Sequence, residues 1–234
     1  MKRKQFEGRE YDEVLKSTRA YYESFSDGYV RFYENWSKGE EEFSNPTYKE
    51  GYDEIARFLG KTAASGEMVI DIGCGIGHWS TLLAEKDARV AGLDNLPSMI
   101  RKSAERSEAF NLKSRIYLFL SDGFHLPFRD EVFDGATLNW VLAHIPMTRN
   151  VSFMNEVGRV VRSKGWLFIS DSYWRGQDGG KEQIQIRQTD GKEHMVYKYY
   201  YNLNELKQLV ERTFGEVELV RPLHYELICI AKKR

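Results

Sequence analysis

Cysteine is scarce in this sequence, and long apolar runs are absent. Cys74 and Cys229 are the only cysteines among 234 residues, too few for a disulfide framework or a cysteine-based zinc site. No apolar run is long enough to cross a bilayer, and no apolar segment follows the basic N-terminal residues as it would in a secretion signal. We therefore predict a cytoplasmic protein that does not insert into a membrane.

An excess of either charge is also missing. The chain has 34 basic and 35 acidic side chains, so its net charge favours neither nucleic acid nor an anionic membrane as a partner. The five histidines show no ligand spacing, and we expect no metal. With 41% hydrophobic and 29% charged residues, the composition is that of an ordinary globular protein of one elaborated domain, and it leaves the oligomeric state open.

Short apolar runs alternate with amphipathic stretches from Met68 onward. This βαβ rhythm predicts an α/β fold with a Rossmann-like, doubly wound sheet of about seven strands, mostly parallel and with an antiparallel C-terminal edge. The predicted strands are 68–71, 88–93, 116–120, 133–139 and 166–171, and the predicted helices between them are 78–86, 97–108 and 148–161.

The two ends of the chain depart from this rhythm. Residues 1–65, rich in tyrosine and charge, predict a cap of two or three helices before the regular core of residues 66–171. Residues 172–201 predict a β-hairpin insertion that turns at Asp190-Gly191. Residues 202–234 predict a helix capped by Asn202 or Asn204, followed by strands that close the same domain.

Three glycines occupy the turn from the first predicted strand into a helix, in the stretch VIDIGCGIGHWS. Gly73, Gly75 and Gly77 are spaced two and two, whereas dinucleotide-binding loops favour G-x-G-x-x-G with a pyrophosphate at the helix N-terminus. The carboxylate of Asp71 would repel a pyrophosphate but attract an ammonium group. The loop therefore favours a ligand with an amino-acid end over NAD.

Two further acids follow the next strands. Asp94 ends the second predicted strand, and one carboxylate can accept hydrogen bonds from both hydroxyls of a ribose. Asp122 follows the third strand, where it can accept from an exocyclic amine, with the Phe124 backbone N–H near a ring nitrogen. The implied ligand has an amino-acid end, a ribose and an adenine.

With these segments in this order, the chain resembles the class I S-adenosylmethionine-dependent methyltransferases, in particular the methyltransferase type 11 and quinone-biosynthesis methyltransferase-like group. VIDIGCGIGHWS is similar to the glycine-rich signature of that family, and GLDNLPSMI to its ribose-binding segment. The resemblance covers about residues 67–171 and implies S-adenosylmethionine as cofactor, with S-adenosylhomocysteine as product. Further cofactor-binding residues that it implies are Cys74, Trp79, Asn95, Met99, Gly123, Asn139 and Trp140.

Two positions depart from the family pattern. Lys164 precedes Gly165 where a second glycine is common, a change that alters a turn. Asn95 stands where an apolar residue is commoner, so its side chain either faces the adenosine or caps the next turn.

The acceptor site is marked less clearly. His144, beyond the fourth predicted strand, is the candidate general base, and packing or loop ordering is the alternative role. Tyr22, Tyr29, Tyr33 and Trp36 in the cap are candidate substrate-binding residues, and packing between cap, hairpin and sheet is their alternative.

We predict methyl transfer to an oxygen, nitrogen or carbon atom of a small molecule. A tRNA or protein methyltransferase is one alternative, and a basic face formed by Lys181, Arg187, Lys192 and Lys198 would favour it. A solvated hairpin is the other interpretation of these charges. A non-catalytic S-adenosylmethionine-binding regulatory protein is the second alternative.

Overall fold

The structure of the protein, a computed structural model, describes residues 9–38 and 46–234. The side chains of residues 9–10, 36–38 and 46–48 lie outside this description. Three helices precede the sheet: α1 (Arg9–Ser24), α2 (Ser26–Lys38) and α3 (Pro46–Thr62). Two or three helices were predicted here, and three are present in the described ranges.

Strands and helices then alternate as the apolar periodicity predicts. The elements are β1 (Met68–Ile72), α4 (His78–Glu85), β2 (Arg89–Asp94), α5 (Pro97–Ala109), β3 (Ile116–Leu120), β4 (Phe133–Asn139), a short 3-10 helix (Leu142–His144), α6 (Asn150–Val160) and β5 (Val161–Ser172). The chain continues with β6 (Glu182–Thr189), β7 (Lys192–Tyr199), α7 (Leu203–Thr213), β8 (Gly215–Leu223) and β9 (Glu226–Lys233).

Seven strands form the main sheet in the order β3-β2-β1-β4-β5-β9-β8. The first five are parallel, and β9 and β8 continue the sheet in antiparallel pairing. The predicted Rossmann-like sheet with an antiparallel C-terminal edge is therefore confirmed. Between β1 and β4 the order of the strands reverses, and in open α/β sheets ligands bind beyond the carboxyl ends of the strands at such a point.

Apolar side chains cover both faces of the sheet. Val69 belongs to a buried cluster that includes Leu83 of α4, whereas the next residue, Ile70, belongs to the cluster on the other face with Val157 of α6. Successive side chains of a strand point to opposite faces, so a strand buried on both sides reads as a continuous apolar run. This burial holds the carboxyl ends of the strands at one edge.

Some element ends differ from the prediction. Val161 begins β5 instead of ending α6, which spans only Asn150–Val160. Lys164 has a φ of 62°, so it adopts the left-handed conformation that a second glycine would supply at this turn. Asn202, rather than Asn204, caps α7: its side chain accepts from the backbone N–H of Glu205, whose own side chain accepts from the backbone N–H of Asn202.

The hairpin β6–β7 is a separate two-stranded sheet that α1 holds in place. Its turn has positive φ at Asp190 and Gly191, as predicted for this dipeptide. On α1, the hydroxyl of Ser17 accepts from the Met195 backbone N–H (2.8 Å), and that of Thr18 accepts from the Tyr197 N–H (3.0 Å). The helix thus satisfies backbone N–H groups at the edge of β7. We call α1, α2 and the hairpin together the roof.

Candidate active site

A cavity of about 1050 Å³ lies between the carboxyl ends of the parallel strands and the roof. One end is bordered by the loops after β1, β2, β3 and β4, through residues such as Gly75 and Asp94. The other end is bordered by α1, α2 and the hairpin, through residues such as Tyr22 and Lys198. We call these the loop end and the roof end.

The glycine loop follows β1 closely. The backbone N–H groups of Gly73 and Cys74 donate to the Leu93 carbonyl (2.7 and 2.9 Å), which ties the loop to β2. Gly73 and Gly77 have positive φ, and a Cβ atom on them would lie 2.4 Å from Val141 and 2.3 Å from Ser103. Gly75 also has positive φ, but a Cβ there would meet no atom within 4 Å. Glycine therefore serves close packing at two positions and leaves open space beside the third.

Asp94 borders the loop end of the cavity and helps to shape it. Its two carboxylate oxygens accept backbone N–H groups from Gly75 and Leu96, each at 3.0 Å. Burial raises the pKa of this carboxyl to about 6, although these hydrogen bonds favour its ionised form. Each oxygen keeps further lone pairs for a ligand hydroxyl.

Asp71 and Gly77 were predicted to bind the cofactor, but neither residue borders the cavity. Asp71 is 1% exposed and lies behind the loop, where its carboxylate accepts from the Ser80 hydroxyl (2.6 Å). Burial raises its pKa to about 7. The prediction that its side chain points at the ligand's ammonium group therefore differs from the observed geometry, in which it supports the loop from below.

Phe124 also differs from expectation. Asp122 and Phe124 border the cavity together with Gly123, but the Phe124 N–H donates to the Asp122 carboxylate (3.0 Å). An Asx turn of this kind uses the N–H that was predicted to meet a ring nitrogen. Asp122 thus still borders the predicted adenine position, whereas the Phe124 N–H already donates to the Asp122 carboxylate.

Cavity-facing cofactor candidates also include Cys74, Trp79, Asn95, Met99, Asn139 and Trp140. The Asn139 side chain is engaged internally: it donates to Thr137 (2.8 Å) and accepts from Ser170 (2.7 Å). Asn95 does not cap α5, which begins after Leu96 without a side-chain cap, so the capping alternative is wrong.

Aromatic rings form one wall of the loop end. Trp140 has a φ of 55°, a strained conformation for a bulky residue, and its ring stacks on Tyr52 of α3 at 4.8 Å. Trp79 lies 5.9 Å from the Trp140 ring. Sequence reasoning missed Tyr52, because its helical segment carries no feature that separates one tyrosine from the others.

The roof supplies three of the four predicted substrate-binding aromatics. Tyr22, Tyr29 and Tyr33 border the cavity, and Tyr33 stacks on the His78 ring at 4.2 Å. Burial raises the pKa of Tyr29 to about 12, and the centres of the Tyr22 and Tyr29 rings lie 5.8 Å apart. The side chain of Trp36 lies outside the described residues.

Both ring nitrogens of His144 are engaged. Its Nδ1 lies 2.8 Å from the Tyr197 carbonyl oxygen, which can only accept, so Nδ1 carries the proton. Nε2 is then the acceptor for the Tyr22 hydroxyl at 2.9 Å. Burial holds the pKa of His144 well below its ordinary value, so the ring is neutral. His144 thus links the core to α1 and to the hairpin.

The basic side chains of the hairpin do not share one outer face. Lys181 pairs with Glu205, and Lys192 is exposed near the turn. Arg187 and Lys198 instead border the cavity, with Lys198 only 7% exposed. These side chains therefore form neither the common basic face that would favour RNA nor a fully solvated hairpin, because the hairpin packs over the cavity and places Arg187 and Lys198 on its lining.

The loop end fits S-adenosylmethionine. Open space lies beside the Gly75 backbone, the Asp94 carboxylate borders the cavity with lone pairs to spare, and aromatic rings stand where a sulfonium can face them. Within the described ranges, no three His, Cys, Asp or Glu side chains are grouped to hold a metal ion. Among the described helices, none is both long and apolar enough for a membrane span.

Comparison with known proteins agrees with this geometry. Residues 70–169 match the family described as methyltransferase domain. Methyltransferase GfsG of Streptomyces halstedii is 33% identical over 48% of this chain and 40% of its own length. Demethylmenaquinone methyltransferase of Desulfitobacterium hafniense is 34% identical over 47% of this chain and 44% of its own. The chain thus matches less than half the length of these curated relatives.

A solved structure titled DhpI-SAM-HEP complex shares the fold with a TM-score of 0.75 and 17% identity, covering 98% of this chain and 100% of that one. The matched segment, the fold and the cavity agree with one another: residues 70–169 are similar to the class of S-adenosylmethionine-dependent methyltransferase domains. They support S-adenosylmethionine as the cofactor, as the sequence predicted.

Proposed function

We propose that the protein transfers a methyl group from S-adenosylmethionine to a small molecule bound at the roof end of the cavity. The observation that carries this proposal is the continuity of one cavity from the glycine loop to the roof. Its volume of about 1050 Å³ lies at the upper limit of usual small-molecule sites, so it has room for a cofactor and a small acceptor side by side.

In this proposal the loop end holds the cofactor. Asp94 accepts hydrogen bonds from the ribose hydroxyls, and Asp122 accepts one from the adenine amine. The backbone of Gly73 to Gly75 approaches the amino-acid end, and Asp71 supports the loop from behind through its hydrogen bond with Ser80. Trp140 and Trp79 pack against the bound cofactor, with Asn139, Met99, Cys74, Asn95, Gly123 and Phe124 completing the wall.

The cofactor supplies a methyl group on a positively charged sulfur. The chain then has to orient the acceptor, exclude water and accommodate the acceptor's proton. The roof covers the cavity, and the aromatic rings of Tyr22, Tyr29 and Tyr33 supply apolar walls with hydroxyl groups for an acceptor.

His144 has a positioning role in this proposal. Its Nε2 already accepts from Tyr22, so it has no free lone pair for the acceptor's proton while this hydrogen bond lasts. The neutral ring connects Tyr22 with the Tyr197 carbonyl and thereby fixes one substrate-facing hydroxyl. This role corresponds to the ordering alternative that the sequence left open beside the general base.

A small molecule is favoured over tRNA or a protein because the acceptor end lies within a cavity under the roof. The roof covers it, and two basic side chains that would have marked a nucleic-acid surface are turned inward. The exposed surface of the hairpin thus loses the charge on which the RNA alternative depended.

Two measurements test the proposal. Calorimetry should show binding of S-adenosylhomocysteine to the purified protein. Incubation with methyl-labelled S-adenosylmethionine and separate metabolite, RNA and protein fractions should then place label in the metabolite fraction. Label in RNA or protein alone would refute the small-molecule assignment, and cofactor binding without any transfer would favour the non-catalytic alternative.

A further inference from the structure

The inner face of the hairpin carries two cations toward the roof end of the cavity. In the β6–β7 register Gln183 pairs with Lys198 and Arg187 with His194, so these side chains share one face. Of these four, Arg187 and Lys198 border the cavity. Both cations therefore face the space in which the acceptor is proposed to bind.

Lys198 is a buried ammonium group that has no ion-pair or hydrogen-bond partner among the residues that the structure describes. It is 7% exposed, and no described residue accepts a hydrogen bond from it or forms an ion pair with it. Leaving a buried charge unpaired is costly, and burial accordingly lowers the pKa of Lys198. An anionic group in the cavity would remove that cost.

Arg187 is oriented by neutral groups. Its guanidinium donates to the Gln185 side chain (2.8 Å) and lies 5.4 Å from the centre of the Tyr21 ring. Gln185 is itself held by the Tyr200 hydroxyl at 2.9 Å. Among the described residues no carboxylate pairs with Arg187, so its charge remains available while its direction is set.

Two carboxyl groups lie near Lys198, but neither forms an ion pair or a hydrogen bond with it among the described residues. Asp171 is fully buried, and its oxygens accept backbone N–H groups from Ala143 (2.9 Å) and Ser172 (2.6 Å). Burial raises the pKa of Glu226 to about 7, so this carboxyl is partly protonated at neutral pH. Arg187 and Lys198 therefore present two cations on one face of the cavity, neither of them in an ion pair with a described residue.

We propose that the methyl acceptor carries an oxyanion, either a carboxylate or a phosphoryl group, which Lys198 and Arg187 bind. This inference rests on the proposed function and names the chemical class of its acceptor. Lys198 supplies a point charge, and Arg187 supplies paired N–H donors that match two oxygens of the anion. The cations select the acceptor and hold it beside the cofactor.

The test uses the full chain saturated with S-adenosylhomocysteine and calorimetric titration with matched probes. One pair is 4-hydroxybenzoate and 4-hydroxybenzamide, and the other is phenyl phosphate and the neutral phenyl carbamate. We expect an anion to bind about tenfold or more tightly than its neutral counterpart. The pair with the larger ratio distinguishes a carboxylate from a phosphoryl group.

Lys198→Met and Arg187→Gln should each weaken binding of the favoured anion by about tenfold and leave binding of its neutral counterpart unchanged. The matched control is Lys192→Met, which replaces an exposed lysine on the same hairpin. It should change neither the binding of the anion nor the binding of its neutral counterpart. If Lys198→Met does not fold, Arg187→Gln and the loss of the anion preference at high salt carry the test.

The inference is overturned if neutral probes bind as tightly as the anions, if no anion binds below about 10 mM, or if the variants keep the preference. Failure of the proposed function looks different: the wild-type protein would not bind S-adenosylhomocysteine or would not transfer label. Binding and transfer to neutral acceptors alone would refute this inference and leave the proposed function intact.

Discussion

The loop end and the roof end of the cavity differ in charge and in how they are assembled. Acids mark the loop end, with Asp94 and Asp122 on its wall and Asp71 behind it. Cations mark the roof end, where Arg187 and Lys198 face inward. One cavity thus offers negative potential to a cationic cofactor and positive potential to its neighbour.

The two ends also differ in their support. The loop end rests on consecutive strand ends of one buried sheet, whereas the roof end depends on helices and a hairpin joined by side-chain hydrogen bonds. Elements held by few backbone pairings open more readily than a central sheet. We infer that the loop end is preformed and that acceptor entry depends on the roof.

The largest expected effect is at Asp94. Asp94→Ala removes the proposed ribose acceptor and leaves the Gly75 and Leu96 N–H groups without their acceptor, so S-adenosylhomocysteine affinity should fall on the order of 100-fold. Asp122→Ala replaces an exposed acid at the same end and should lower the affinity for S-adenosylhomocysteine less than about tenfold. Calorimetry measures both, and undiminished binding by Asp94→Ala would contradict the assignment.

Asp71→Asn should stabilise the free protein at high pH. The pKa of Asp71 is about 7 in the folded state and about 3.9 when unfolded, so the folded protein holds a proton that the unfolded chain releases. Stability present below about pH 4 is therefore lost as pH rises to about 7. Asparagine carries no charge and can still accept from Ser80.

Urea denaturation should show a gain for Asp71→Asn on the order of 2 kcal/mol at pH 8 and a smaller gain at pH 5. Asp87→Asn is the control, since the Ser65 hydroxyl and Arg115 lower the pKa of this exposed acid, and it should show no gain. An equal gain for Asp71→Asn at both pH values would point to a cause other than ionisation.

The link between Tyr22 and His144 tests the support of the roof. Tyr22→Phe and His144→Gln should each cost about 1 kcal/mol of stability, with a coupling of similar size in the double variant. In the reaction, positioning predicts a higher KM for the acceptor with a small change in kcat. Tyr117→Phe, which changes an exposed tyrosine, is the control and should alter neither the stability nor the KM for the acceptor.

A kcat loss of about 100-fold in His144→Gln, with KM unchanged, would instead restore His144 as the general base. The pH profile separates these outcomes further. A base at His144 would remove an ionisation from the profile when it is replaced, whereas a positioning residue would not.

The smallest effect is expected at Glu23, which joins the two ends. From α1 its carboxylate accepts from the Ser98 hydroxyl (2.8 Å) and backbone N–H (3.2 Å) at the start of α5. Glu23→Gln removes a negative charge from a helix N-terminus, so S-adenosylhomocysteine should dissociate about threefold faster. Glu13→Gln, at an exposed acid of α1, is the control in stopped-flow measurements.

Sequence reasoning reached much of the loop end and little of the roof end. The glycine spacing, Asp94 and Trp140 all lie in one contiguous segment whose pattern follows from strands that end at loops. It misjudged Asp71 and the Phe124 N–H, because the direction of a side chain and the use of an N–H depend on nearby partners such as Ser80 and Asp122. For Lys198 the sequence offers only a basic face or a solvated hairpin.

The sequence by itself determined the alternation of strands and helices, because this follows from local periodicity. Its short spacings indicated the kind of ligand, and its resemblance to a methyltransferase family implied the class and the cofactor. Only the tertiary structure decided what the roof contributes. Tyr22 and His144 are 122 residues apart, and Thr18 and Tyr197 are 179 apart. Contacts at such separations leave no periodic trace in the sequence, so the burial of Lys198 and the engagement of His144 emerge only when the helices and the hairpin pack over the sheet.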